Sequence, residues 1–166
     1  LTVCGVAGGV QEALALIEST TPDLVITDLS LPGRNGLELI KDLAAAHPGI
    51  PVIVLSVHDE MIYAERVLRA GGRGYLMKDT PPERMLEAVR TVAAGRPFLD
   101  PALAQQLALQ EALMGGERPL AVLSEREFEV FLHLARGDSV NDIAERLFLS
   151  PRTVGTHLYH LKQKLG

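Results

Sequence analysis

The chain has one cysteine, Cys4, so no disulfide framework can staple it, and its place in an apolar run predicts a small buried hydrophobe. No apolar run approaches the roughly 18 residues needed to cross a bilayer. No basic-then-apolar leader is present either. These absences argue against a membrane partner and for a cytoplasmic protein. Residues 150–166 contain no acidic side chain, although Arg152, Lys162 and Lys164 lie there. The whole net charge of -5 sits in residues 1–115, which leaves 116–166 balanced. A basic terminal helix on a neutral module hints at a polyanionic partner. What the chain has in quantity is apolar: 47% hydrophobic against 22% charged residues, the composition of an ordinary folded protein.

Short β-branched runs alternate with segments of helical period through the first half. The pattern predicts strands near 2–7, 24–28, 52–56 and 73–77, and helices near 9–19, 36–46, 60–70 and 82–94. Strand and helix in alternation imply an α/β domain built on a parallel sheet. In the helices, Val10, Ala13, Leu14 and Ile17, then Leu37, Ile40, Leu43 and Ala44, then Met85, Leu86, Val89 and Val92 keep the 3.6-residue spacing of core faces. A helix-prone stretch from Pro101 to Met114 follows, and Gly115-Gly116-Glu117-Arg118-Pro119 reads as a connector. The expected organisation is a first domain over 1–96, a helical linker over 97–119 and an all-α domain over 120–166.

Three strand-like runs in the first domain end on different polar residues: Leu24-Val25-Ile26-Thr27 on Asp28, Pro51-Val52-Ile53-Val54-Leu55 on Ser56, and Gly74-Tyr75-Leu76-Met77 on Lys78. Ligands of open parallel sheets bind beyond the carboxyl ends of the strands, so a carboxylate, a hydroxyl and an ammonium are expected on one edge. Asp28 taken alone can be read as a nucleophile, a metal ligand or simply the cap of the loop that follows. With Ser56 and Lys78 beside it, the set suits phosphoryl chemistry: one hydroxyl to donate to a phosphoryl oxygen and one cation to balance its charge.

The run from Pro22 to Asp28 with Pro32 and Gly36, then Leu55-Ser56, then Gly74-Tyr75-Leu76-Met77-Lys78-Asp79, resembles the receiver domain of two-component response regulators. The resemblance implies a flavodoxin-like sheet of order 2-1-3-4-5. It also implies Asp28 as phosphoacceptor, Ser56 as switch hydroxyl, Lys78 as the partnering lysine, and Tyr75 as an aromatic that turns between exposed and buried positions. Mg²⁺ is implied too, held by Asp28, the Ser30 carbonyl and an acidic pair at the end of a first strand. That strand and its acids are not found here, because residues 2–7 match the second strand of the pattern. The chain is therefore expected to be truncated at both ends, and to bind Mg²⁺ and accept phosphate poorly compared with a longer parent.

The last part carries legible caps: Ser124 with Glu127, Gly137 as a stop, Ser139 as an opening, then Ser150-Pro151-Arg152-Thr153. They predict helices over 125–136, 139–147 and 151–165, the last two forming a helix-turn-helix. Leu123-Ser124-Glu125-Arg126-Glu127, Asn141 to Leu147, and Ser150 to His157 resemble the LuxR-type module of the NarL/FixJ family. Val154, Leu158, Leu161 and Leu165 are expected to pack inward. Arg152, Thr153, Gly155, Thr156, Tyr159, Lys162 and Lys164 are expected at DNA: the cations and the helix start on phosphates, Thr156 and Tyr159 on base edges. Gly155 departs from the longer polar residue common at that position in the family. His157 and His160 lack the acid or thiol partners of a metal site.

The reading that unites both halves is a transcriptional response regulator, not an enzyme. Its implied partners are promoter DNA, a sensor histidine kinase and a second copy of itself. A constitutive regulator, or a phosphotransfer and protein-interaction module, would use the same parts differently.

Overall fold

Runs rich in Val and Ile become β1 (Val25–Thr27), β2 (Val52–Ser56) and β3 (Gly74–Met77), which the computed structural model joins in one parallel sheet ordered β1-β2-β3. The structure describes residues 1–31, 34–57, 60–114 and 119–165. It divides into two units, Leu1–Ala112 and Leu113–Gly166. In the register, Thr27 pairs with Val54, Val54 with Tyr75, and Ser56 with Met77. Side chains alternate across a sheet, so Val54 and Tyr75 share one face while Ile53 and Leu76 share the other. Val52, Ile53 and Val54 are all buried, which is why this strand reads as an unbroken apolar run.

The helices of this unit are α1 (Val10–Thr20), α2 (Gly36–Ala46), α3 (Glu60–Ala70), α4 (Pro82–Ala93) and all but the last two residues of α5 (Pro101–Met114). Ala88, Val89 and Val92 of α4 form a core with Ile53, Leu76 and Phe98. Phe98 reaches it because the chain returns to the outer side of β3: Phe98 N–H donates to the Arg73 carbonyl at 2.8 Å, and Tyr75 N–H to the Phe98 carbonyl at 3.3 Å. Leu103 is buried as well, so the stretch expected as linker begins inside the first unit. The predicted connector Gly115–Arg118 lies outside the described residues.

One expected element does not form. Residues 2–7 are not a strand, Val3 and Val6 are exposed, and so is Cys4, which is no buried hydrophobe. In the order 2-1-3-4-5 this segment reaches β1 only through an intervening strand, and no described residue provides it. Its backbone groups have no ladder to join, and a strand without a partner is not stable.

In the second unit a 3-10 turn, Pro119–Val122, precedes α6 (Glu125–Ala135), α7 (Val140–Arg146) and α8 (Pro151–Leu165). The predicted capping box of Ser124 with Glu127 is present, and Ser139, expected only to open a helix, forms a second one with Asp142. Phe128, Val130, Ile143, Val154 and Leu161 are buried. Leu158 is half-buried, but Leu165 in the last turn is exposed and does not pack as its spacing suggested.

Candidate functional site

Asp28 follows β1 directly, Ser56 closes β2 and Lys78 follows β3, so adjacent parallel strands deliver all three residues to one edge. Lys78 Nζ donates to Asp28 Oδ2 at 2.6 Å across 50 residues of sequence. Asp28 Oδ1 accepts the Ser30 N–H at 3.2 Å, and Lys78 N–H donates to the Ser56 carbonyl at 2.9 Å. The carboxylate is therefore aimed and charge-balanced while still partly open to solvent. Ser56 is fully buried, and Tyr75, on the same face of the sheet, is buried too, the bulkiest of the fully buried side chains among the described residues.

The loop after Asp28 is held by two residues beyond the predicted trio. The Asn35 side-chain oxygen caps α2 by accepting the Leu37 N–H at 2.7 Å. Gly36 N–H donates to the Leu29 carbonyl at 2.9 Å, and a Cβ placed on Gly36 would lie 2.1 Å from the Asp28 carbonyl oxygen. A glycine opening a helix is the one sequence signal for so close an approach. Arg34 adds ion pairs of 3.0 Å to Glu38 and to Asp42, which raise its pKa further. Pro32 lies outside the described residues.

Mg²⁺ would have Asp28 and the Ser30 carbonyl as its ligands here. Asp28 Oδ2 already faces the Lys78 ammonium and Oδ1 the Ser30 N–H, and the described residues hold no group of three His, Cys, Asp or Glu side chains suited to a metal ion. These residues alone do not fit a Mg²⁺ site.

In the second unit, Ser150 Oγ accepts the Thr153 N–H at 3.0 Å, which starts α8 with its hydroxyl spent on the backbone. Arg152, Gly155, Thr156, Tyr159 and Lys162 are exposed on this helix, and Thr153 is half-buried at its start. No side chain rises near Gly155, where a Cβ would meet nothing within 4 Å. The Thr156 hydroxyl donates to the Arg152 carbonyl at 3.2 Å, and Tyr159 stacks edge-on against His160. Lys164 differs from the other cations: its Nζ donates to Glu127 Oε2 at 2.6 Å. Burial pushes the Glu127 carboxyl up, but hydrogen bonds from Lys164 and from the Ser124 N–H and hydroxyl outweigh it and bring the pKa down to about 2. No local pattern announces that pair, because its members are 37 residues apart.

Residues 1–90 match the response regulator receiver domain, and residues 121–166 match the bacterial regulatory proteins of the luxR family. The response regulator UvrY of Escherichia coli (strain K12) is 36% identical over 100% of this chain and 77% of its own. The response regulator GacA of Pseudomonas aeruginosa is 37% identical over 100% and 78%. Among solved structures, RcsB from Salmonella enterica serovar Typhimurium, bound to promoter rprA with the phosphomimetic BeF3-, matches with a TM-score of 0.60. That match has 25% identity and covers 99% of this chain and 79% of RcsB. A LuxR-family two-component response regulator from Aurantimonas sp. SI85-9A1 matches with a TM-score of 0.58 and 30% identity, covering 64% and 76%. With the strand-end trio in one unit and the capped helix-turn-helix in the other, the chain belongs to the response regulators that join a receiver domain to a luxR-family domain.

Proposed function

We propose that this response regulator is a transcription factor in which α8 reads promoter DNA and phosphorylation of Asp28 by a sensor histidine kinase controls the reading. The observation that carries the switch is the Lys78 ammonium 2.6 Å from Asp28 at neighbouring strand ends. Phosphorylation would add about -1.5 to -2 charges and strong acceptor oxygens at that point. Lys78 would then follow the larger charge, and the Ser56 hydroxyl would donate to a phosphoryl oxygen. Movement of Ser56 changes the space around Tyr75, and with it the surface formed by α3, β3 and α4. A swing from about 1:99 to 99:1 between two such states takes roughly 5.5 kcal/mol of differential stabilisation. Mg²⁺ enters this reading as the usual ion of receiver domains, with ligands beyond Asp28 and Ser30.

On the DNA side, the outward face of α8 has the size and charge to enter a major groove. Arg152, Lys162 and the helix start at Thr153 would set the protein on phosphates, while Thr156 and Tyr159 reach base edges. The RcsB complex with promoter DNA supports this use of the module, and RcsB dimers on DNA support action as a homodimer, since paired half-sites multiply a weak contact. Phosphate taken up by Asp28 is a stoichiometric signal, so the protein acts as a regulator and not as an enzyme with turnover.

Two measurements test the reading. Phosphate-affinity electrophoresis of protein recovered from its own cells should show a retarded species in wild type that disappears in Asp28→Asn; a retarded species that survives the substitution overturns the assignment. Labelled duplex should bind tightly at low salt and lose affinity steeply as salt rises. Binding indifferent to salt would remove DNA from the proposal.

A further inference from the structure

Three cations lie in the acid-free end of the chain, and the simplest expectation gives all of them to the phosphates of DNA. The structure separates one from the other two. Among the described residues Arg152 and Lys162 are exposed and form no ion pair, whereas Lys164 Nζ lies 2.6 Å from Glu127 Oε2. Glu127 is in the first turn of α6, and its side chain is only 4% exposed. The same oxygen accepts the Ser124 N–H at 2.7 Å, and Oε1 faces His160 Nδ1 at 3.6 Å. His160 and Lys164 are one helical turn apart, so they present one face of α8 to the start of α6.

We propose that Lys164 is a positioning residue and not a phosphate contact: through Glu127 it fastens the far end of the recognition helix to the capped start of α6. A nearly buried carboxylate needs a cation beside it, since an unpaired charge in that place strongly destabilises the fold. An ammonium already balanced by that carboxylate does not neutralise a phosphate, so it releases no counterion when DNA binds. Only Arg152 and Lys162 then contribute side-chain charge to the salt dependence from each copy of α8. Glu127, which touches no DNA, sets the angle at which Thr156 and Tyr159 are offered to the groove.

The inference rests on the DNA-binding reading, and the experiment keeps the two apart. Labelled random-sequence duplex is titrated with the full chain between about 50 and 200 mM salt. Wild type, Lys162→Gln, Lys164→Gln and the double variant Glu127→Gln/Lys164→Gln are compared, and each is melted without DNA. Lys162→Gln should lower the steepness of log affinity against log salt by about 0.9 per bound subunit and leave the melting temperature unchanged. Lys164→Gln should do the reverse: wild-type steepness, with affinity lower by a similar factor at every salt and a lower melting temperature. The double variant buries no unpaired charge, so it keeps the fold and the slope readable even if the single variant unfolds; it should retain wild-type steepness. Loss of about 0.9 from the slope in Lys164→Gln or in the double variant overturns the proposal, as does a wild-type melting temperature for Lys164→Gln. Wild-type protein without salt-dependent binding would instead overturn the DNA reading, which the melting curves leave untouched.

Discussion

Asp28 and Lys78 are 50 residues apart, yet their meeting was legible because each closes an apolar strand of a parallel sheet, where neighbouring strands end on the same edge. Gly36 illustrates the opposite case. Its presence in the sequence says only that a helix opens on glycine, whereas the structure shows backbone 2.1 Å from where a Cβ would be. The obstacle is the carbonyl of Asp28 itself, which cannot rotate away as a flexible side chain would. Gly36→Ala should therefore destabilise the first unit by about 1–3 kcal/mol, seen as a lower urea midpoint. The same change should lengthen the Lys78–Asp28 contact and slow the phosphate uptake proposed for Asp28. A variant as stable as wild type would mean that the loop relaxes without moving the carboxylate.

The helix ends show how far local chemistry reaches at the scale of elements. Gly71, Gly95 and Gly137 take positive φ just past α3, α4 and α6, and each of those helices closes with the paired backbone bonds of a Schellman turn. The turn after α7 has the same bonds, Leu149 N–H to the Ala144 carbonyl at 2.8 Å and Phe148 N–H to the Glu145 carbonyl at 3.2 Å. There a phenylalanine, 67% exposed, holds φ at 56° where glycine would be at ease. Left-handed backbone disfavours a bulky residue by about 1–2 kcal/mol, and the exposed ring recovers little of that through packing. Phe148→Gly should raise the melting temperature of the helical unit by a few degrees, less whatever the freer unfolded glycine takes back. A lower melting temperature would show that the ring is held by contacts worth more than the strain. The serine caps were readable because a cap acts within three residues; the strained turn was not, since no residue type there demands it.

At the scale of the whole molecule, sensitivity to acid can be assigned to named groups of the helical unit. In the helical unit the Glu127 carboxyl is depressed to about 2 from 4.5, and burial depresses His157 below 6.5 against the weaker upward pull of Glu127. A depressed carboxylate contributes its full stability above about pH 4.5 and loses it as the pH falls through about 2. A depressed histidine binds its proton more readily unfolded, so it too subtracts stability below about 6.5. Both signs agree: the unit should melt at progressively lower temperature in acid, and Glu127→Gln should flatten the part of that profile between about pH 4.5 and 2. An unchanged acid limb in Glu127→Gln would remove the carboxylate from the account. The sequence by itself determined the alternation of strands and helices, the caps, the strand-end trio and the helix-turn-helix, because each follows from spacing within a few residues or from the common direction of parallel strands. Only the tertiary structure decided that residues 2–7 make no strand, that Gly36 is pressed against Asp28 and that Lys164 belongs to Glu127. Those outcomes depend on which distant backbone or charge is brought within a few ångströms, and no local period encodes that.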